Sequence, residues 1–333
     1  LGDVYKRQGY GMSFLLRNFL FYIFPKKRMI NVRVCVRIQM MNVFFLTCFC
    51  NAEGGDREMD HEHGIGQTAA TVLRLLNVTP GPKMAKPHDK VLDMAEQILT
   101  GEGRRRAFFY NPDAIGMWIY RKYQKKFAGL ENRVQLRMKI HTAYPPVTPV
   151  CFGSMYTGLP PKEHGITKYR KPVLLVDTVF DYLVRAGKKA AIISTEGDSI
   201  SRIFLGRDID YFIYPTVEEC NEKALDLIER DKYDFMVLYN GNYDYMMHRF
   251  GPEGSRALEA LDQNIETFLN IYDRIKEYWK DHPTVLAFAP DHGCHKKLMF
   301  MGSHGIQIPQ DMETIHFYSF INSTDQCTIP QQK

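Results

Sequence analysis

Residues of metal-ligand type recur in this sequence where apolar runs end. The run AFFY (107–110) leads into NPDAIG, which carries Asp113, and DFMVLY (234–239) leads into NGNYDYMMHRFGP, which carries Asp244 and His248. TVLAFA (284–289) leads into PDHGCHKKLMFMGSHG, which carries Asp291, His292, His295 and His304. Carboxylate oxygen mixed with imidazole nitrogen suits Zn²⁺ or Mn²⁺, whereas Mg²⁺ and Ca²⁺ sites are dominated by oxygen. Asp113, Asp244, His248, Asp291, His292 and His304 are too many for one catalytic zinc that keeps an open position. They are enough for two ions about 3.5 to 4 Å apart. Two close cations also let three carboxylates converge without repulsion protonating one of them. Taken singly, each residue has an ordinary role: Asp113 as the cap of a helix beginning AIGMWIY, Asp244 with His248 as a solvated pair one turn apart, His304 as a loop donor. Their joint arrival at strand exits argues for joint use.

A nucleophile is sought in YPPVTPVCFGSMYTGLPPKEHGI (144–166), which offers Thr148, Cys151, Ser154 and Thr157. Prolines at 145, 146 and 149 restrict the backbone just before an apparent helix start. A hydroxyl at a helix N-terminus sits in a positive field among free backbone N–H groups, which favours both its alkoxide and a bound phosphate. Coordination to a metal activates it further.

The elements that must hold these residues alternate in type. Strands are expected at 107–110, 190–194, 210–214, 234–239, 284–289 and 315–321, as short apolar or β-branched and aromatic runs. Helices are expected over HDKVLDMAEQILTG, PVLLVDTVFDYLVRAGKK, TVEECNEKALDLIERD and GSRALEALDQNIETFLNIYDRIKEYWKD. This alternation predicts an α/β fold with a largely parallel central sheet flanked by helices on both faces. In such a sheet ligands collect beyond the carboxyl ends of the strands, where the Asp and His residues fall.

The ordered set of motifs resembles the alkaline phosphatase superfamily, in particular its nucleotide pyrophosphatase/phosphodiesterase and phosphopentomutase-like branches. The resemblance covers about residues 105–321. It rests on an Asp after the first strand, a P-x-x-T-x segment ending TG-x-x-P-x-x-HGI, then D-x-x-x-H-x-x-GP, DHG and a last histidine. Carried over motif by motif, it implies Thr148 as nucleophile and metal-bound hydroxyl, Asp113, Asp291 and His292 at one metal, and Asp244, His248 and His304 at the other. The interval from His292 to His304 is short, as in the phosphomutase branch, which leaves His295 as the local competitor of His304. The resemblance further implies an alkaline phosphatase-like core, two divalent cations (Zn²⁺, with Mn²⁺ as the other candidate), a small-molecule phosphate ester substrate and a phosphothreonine intermediate. Asn242, Arg249 and Lys171 are the expected substrate contacts, with Asn240 a further candidate. His164 is expected to orient or support the structure, and Cys151 and Cys294 to pack, since Cys151 is followed by FGSM and lacks the sulfatase pattern C-x-P-x-R. A phosphomutase, a sulfatase or phosphonate hydrolase, and a catalytically inactive metal-binding α/β protein remain the alternatives.

The rest of the chain bounds these readings. Its 333 residues, 45% apolar and 24% charged with a net charge of +5, suit a folded enzyme with a sizeable core. Basic runs such as GRRR and YRKYQKK read as solvated helix faces, so nucleic acid is not an expected specific partner. Seven cysteines without framework spacing do not make a disulfide scaffold. The first fifty residues contain the apolar runs SFLLRNFLFYIF and MNVFFLTCFC, both shorter than the ~20 residues that cross a bilayer. LGDVYKRQ resembles a run common at the ends of translated fragments, so residues 1–57 are expected to be an extension to a single catalytic domain over 58–333, with Met59 a plausible start. Without that extension the expected location is cytoplasmic; if residues 29–50 act as a signal segment, it is exported.

Overall fold

The computed structural model describes residues 63–100, 103–297 and 301–322, so the expected N-terminal extension and its signal-like segment lie outside the described residues. Numbered along the chain, the strands are β1 (Arg106–Pro112), β2 (Leu136–His141), β3 (Ala190–Thr195), β4 (Asp210–Tyr214), β5 (Phe235–Asn240), β6 (Thr284–Phe288), β7 (His295–Lys296), β8 (Gly302–Ser303) and β9 (Glu313–Ile321). Seven of them form one sheet in the order β2-β9-β6-β1-β5-β3-β4, and β7 pairs with β8 as a small antiparallel ribbon. The five strands from β6 to β4 run parallel. β9 runs antiparallel to both β6 and β2, so the sheet is largely parallel with one reversed strand.

The central strands β1, β5 and β6 are buried along their whole length, which is why they read as continuous apolar runs. Their alternate residues face two cores. Ala107 and Phe109 pack with the helices Gln67–Leu75, Asp89–Ile98, Thr148–Thr157 and Val179–Arg185 on one face. Phe108 and Tyr110 pack with Met117–Lys122, Val217–Glu229 and Ser255–Tyr278 on the other. Helices therefore cover both faces, as expected. No helix among the described residues is long and apolar enough to cross a membrane.

Two local expectations change. The helix predicted over 172–189 begins only at Val179, because Thr178 and Asp181 form a capping box that fixes its start there. Strand β2 is absent from the expected set. Its residues alternate, with Met138 and Ile140 inward and Arg137 and Lys139 outward, the pattern of a half-exposed edge strand.

The sheet register positions the site. Pro112 pairs with Asn240 across β1 and β5, and Tyr110 with Phe288 across β1 and β6. Three parallel strands thus stop at one level, and the residues just beyond them, Asp113, Asp244 and Asp291, emerge at one edge. The Asp113 N–H donates to the Asn240 carbonyl at 2.9 Å and continues the ladder to the point where the carboxylate turns away.

Candidate metal centre

Two triads assemble at this edge. Asp113, Asp291 and His292 form one, Asp244, His248 and His304 the other, and in each the ligand atoms lie within 4.8 Å of one another. Both sets are those the sequence suggests. In the first, His292 Nε2 lies 3.4 Å from Asp113 Oδ1 and 3.4 Å from Asp291 Oδ2. In the second, His248 Nε2 and His304 Nε2 each lie 3.4 Å from Asp244 Oδ1. The His292 and His304 rings stack at 4.2 Å between centroids, so the triads adjoin.

The hydrogen bonds around the histidines fix their chemistry. His292 Nδ1 donates to the Gly293 carbonyl at 2.9 Å, His248 Nδ1 to the Gly302 carbonyl at 3.2 Å and His304 Nδ1 to the Pro146 carbonyl at 3.0 Å. A carbonyl only accepts, so the hydrogen is on Nδ1 in all three rings, and Nε2 turns to the site as a ligand atom. Histidines bound to metals are oriented in this way.

The carboxylates supply the test of whether cations belong here. Asp113 Oδ1, Asp291 Oδ2 and Asp244 Oδ1 are buried oxygens without a hydrogen-bond partner, and they are the same oxygens that face the histidine nitrogens. Three buried anionic oxygens without donors are costly unless a cation meets them. The donor set fits two divalent ions of the zinc or manganese kind.

The acidities agree. Burial raises Asp113 to about 7, the charge of Asp244 adds to this, and a hydrogen bond from the Tyr239 hydroxyl opposes it. Burial and the neighbouring Asp113 hold Asp291 well above the ordinary carboxylate range. Asp244 is raised by burial, but the attraction of His248 and His304, whose Nε2 atoms stand 3.4 Å away, outweighs this and brings it below that range. Burial, with His304 beside it, lowers His292 to about 3 and keeps it neutral. The bond to Asp244 raises His248 against the effect of burial. His304 is lowered by burial, yet Asp244 brings its net value up. Without metal, protons do the work that cations do in a filled site.

Thr148 is the first residue of the fully buried helix Thr148–Thr157, whose first turn holds Pro149 and which ends at Gly158 with φ +71°. That left-handed position suits glycine, which explains the TG pair. The Thr148 hydroxyl donates to Asp113 Oδ2 at 3.3 Å and stands 3.4 Å from His292 Nε2. The glycine of DHG is fixed by space, since a Cβ on Gly293 would lie 2.0 Å from the Gln310 carbonyl oxygen.

A cleft of about 220 Å³ opens beside Thr148, and Lys171 and Arg249 are among the residues that line it. Asn242 is not. Its amide donates to Gln263, and its position two residues before Asp244 turns it roughly 200° away around the helix. Asn240 is buried in bonds to Tyr110 and Asn221. His295 bonds Asp311 at 2.8 Å and joins neither triad. Cys151 is buried with its sulfur 3.0 Å from the Thr142 hydroxyl, Cys294 is buried near Tyr243, and His164 bonds Ser154 at 3.1 Å. Tyr239, Tyr169 and Tyr245 at the cleft and Thr142, which holds the Asp291 carbonyl, have no forerunner in the sequence reading. The one signal was the place of Tyr239 at a strand end.

Fold and site together define an α/β protein with a largely parallel seven-stranded sheet and a paired Asp/His centre beyond the carboxyl ends of its strands. No family model and no curated protein matches the chain. Among solved structures it is similar to murine ectonucleotide pyrophosphatase/phosphodiesterase 5, in an inactive form in complex with AMP, at 14% identity and a TM-score of 0.46 over 59% of each chain. It is also similar to phosphonoacetate hydrolase from Sinorhizobium meliloti 1021 in complex with phosphonoformate, at 16% identity and a TM-score of 0.45, covering 59% of this chain and 58% of that one. The matches span less than two thirds of the length of either protein.

Proposed function

We propose that the chain is a metal-dependent phosphoric ester hydrolase that works through Thr148. The observation that carries this reading is the set of three orphaned carboxylate oxygens, each 3.4 Å from a histidine Nε2, beside a threonine hydroxyl at a buried helix N-terminus. Asp113, Asp291 and His292, with Thr148, would hold one divalent cation, and Asp244, His248 and His304 the other. Bound there, the cations would supply positive charge to a phosphoryl group as negative charge builds on it, and would lower the pKa of hydroxyl groups.

The chain's own groups do the rest. Thr148 Oγ1 gives its proton toward Asp113 Oδ2, its hydrogen-bond acceptor, and bonds to phosphorus as the bond to the leaving alcohol breaks. The alcohol departs with a proton from solvent. Water then attacks the phosphothreonine opposite Thr148, Asp113 returns the proton to Thr148 Oγ1 as the P–O bond breaks, and phosphate leaves carrying the water oxygen, with the water's surplus proton passing to solvent. Tyr239 keeps Asp113 turned toward Thr148 through both steps.

A hydrolase is favoured over a mutase by the residues between Thr148 and Asp244. They form β3, β4, β5 and the helices packed on them, all parts of the central fold. Thr148→Ala is expected to abolish turnover of chromogenic phosphate mono- and diesters while two equivalents of zinc or manganese stay bound, read by elemental analysis. Full activity in that variant removes Thr148 as nucleophile. A chain that binds no metal and turns over no ester is the inactive α/β protein instead.

A further inference from the structure

The cleft carries charged groups that hydrolysis of a simple ester does not use. Its volume of about 220 Å³ is below the ~300 to 1,000 Å³ typical of pockets for drug-sized ligands, so its occupant is compact. Lys171 and Arg249 reach it from different elements. Lys171 lies in the segment after the nucleophile helix, and its ammonium donates to the Gly197 carbonyl at 2.9 Å, leaving two N–H groups to turn elsewhere. Arg249 sits one residue past His248, which rotates it about 100° from the ligand face of the helix Asn242–Phe250. Its guanidinium lies 4.1 Å over the Tyr245 ring and has no ion pair among the described residues. The stacked face fixes the plane of the guanidinium and leaves its N–H edge for an oxyanion. Asp198 is the acid on this wall. It accepts from the Thr195 hydroxyl, which takes up part of its hydrogen-bonding capacity.

We propose that Lys171 and Arg249 form a second anion subsite. The preferred substrate is then a small phosphoryl compound with a carboxylate or a second phosphate a few atoms from the reacting phosphorus. This rests on the reading of the two triads and Thr148 as a phosphoryl site and names the substrate class of that site. A charge-assisted hydrogen bond to the second anion gives it an advantage on the order of 10- to 100-fold over an uncharged analogue of similar size.

The test uses the metal-loaded full chain with 2-phosphoglycolate, ethylene glycol bisphosphate and ethyl phosphate. Phosphate release gives kcat/KM for each, and calorimetry on Thr148→Ala gives binding of the same three. The expected result is a 10- to 100-fold preference for one or both of the doubly anionic compounds, the two arms deciding between carboxylate and phosphate. Lys171→Met and Arg249→Met are expected each to shrink that preference, and the double variant to bring it close to one. Equal binding and turnover of all three, or a preference that survives in the double variant, overturns the subsite. If no compound is turned over but 2-phosphoglycolate or the bisphosphate still binds more tightly than ethyl phosphate, the hydrolase reading fails and the subsite stands. If none binds, the subsite fails as well.

Discussion

Removing the metals is expected to make folding stability fall as pH rises through neutrality, and Asp291→Asn to remove most of that fall. Asp113 is raised from 3.8 to about 7 and Asp291 well above 3.8, so between pH 7 and 8 the folded metal-free chain retains a proton that the unfolded chain has released. Stability rises with pH only where the unfolded state binds more protons, and here it binds fewer, so the slope is negative. One retained proton corresponds to about 1.4 kcal/mol per pH unit, or roughly 2 to 3 °C in Tm for a domain of about 275 residues. His248 and His304, also raised, add to the fall until their folded values are passed. The buried neutral histidines His88, His164, His292 and His316 act oppositely, but they are lowered to about 3 to 4, so their effect is half complete at about pH 6.5, where the unfolded imidazoles titrate, and nearly complete by about pH 7.5. Cys151, Cys220 and Cys294, raised by burial, join from about pH 8, where unfolded thiols begin to ionise, and tyrosines from about pH 9. The window of about pH 7.5 to 8 is therefore the one that isolates the site. Urea unfolding followed by circular dichroism in chelator gives the slope. Zinc at 100 times its Kd is expected to add about 2.7 kcal/mol per site and to flatten the curve, as the ion displaces the retained protons. A flat profile in chelator, or the same slope in Asp291→Asn, refutes the coupling between buried carboxylates and metal.

Two further outcomes separate ligands from their supports. Tyr239→Phe removes the hydroxyl that donates to Asp113 Oδ2, and affinity for the metal of the first triad is expected to fall about 10- to 100-fold in chelator competition while the second triad holds its ion. Equal loss at both sites contradicts this. His304→Ala is expected to lower metal content to about one equivalent. His295→Ala is expected to keep two and to cost about 1 to 3 kcal/mol in unfolding, because fully buried Asp311 loses a partner. Loss of metal in His295→Ala reverses the assignment.

The candidate ligands other than His304 were legible because each follows a strand exit, and a parallel sheet brings such exits to one edge whatever the details of packing. Asp113, Asp244 and Asp291 needed only the register of β1 with β5 and β6, which continuous apolar runs impose. His304 was legible by motif order alone, because it is reached through the β7–β8 ribbon rather than from a strand of the main sheet. The supports were hidden for a different reason. A tyrosine at the end of a buried strand reads as core, and only the fold shows that the Tyr239 hydroxyl reaches Asp113, 126 positions away in sequence. Asn242 lies outside the cleft lining because the helix turns it roughly 200° from Asp244, which divides the polar cluster NGNYD between opposite faces. Strand β2 escaped notice because an edge strand has half an apolar pattern, and its partner β9 lies far along the chain.

The two triads differ in burial, and the difference orders the proposed reaction. His292, Asp113 and Asp291 are sealed, and Thr148 touches this triad. The side chains of His248 and Asp244 keep 40% and 20% of their exposure and line the cleft. Substrate and water arrive from the exposed side. In a low-dielectric wall a cation held by the first triad would act on a hydroxyl that never leaves the site, where an unscreened charge lowers its pKa most. One held by the second would face groups that must exchange with solvent at each turnover, where strong desolvation would slow release. The stacked rings of His292 and His304 set the boundary between these environments. Substitutions at the first triad are therefore expected to act on formation of the phosphothreonine, and those at the second on its hydrolysis. Burst kinetics with a chromogenic ester separate the two: His248→Ala should retain a burst that Asp291→Asn lacks, and a burst lost in both variants would mean that the triads do not divide the work.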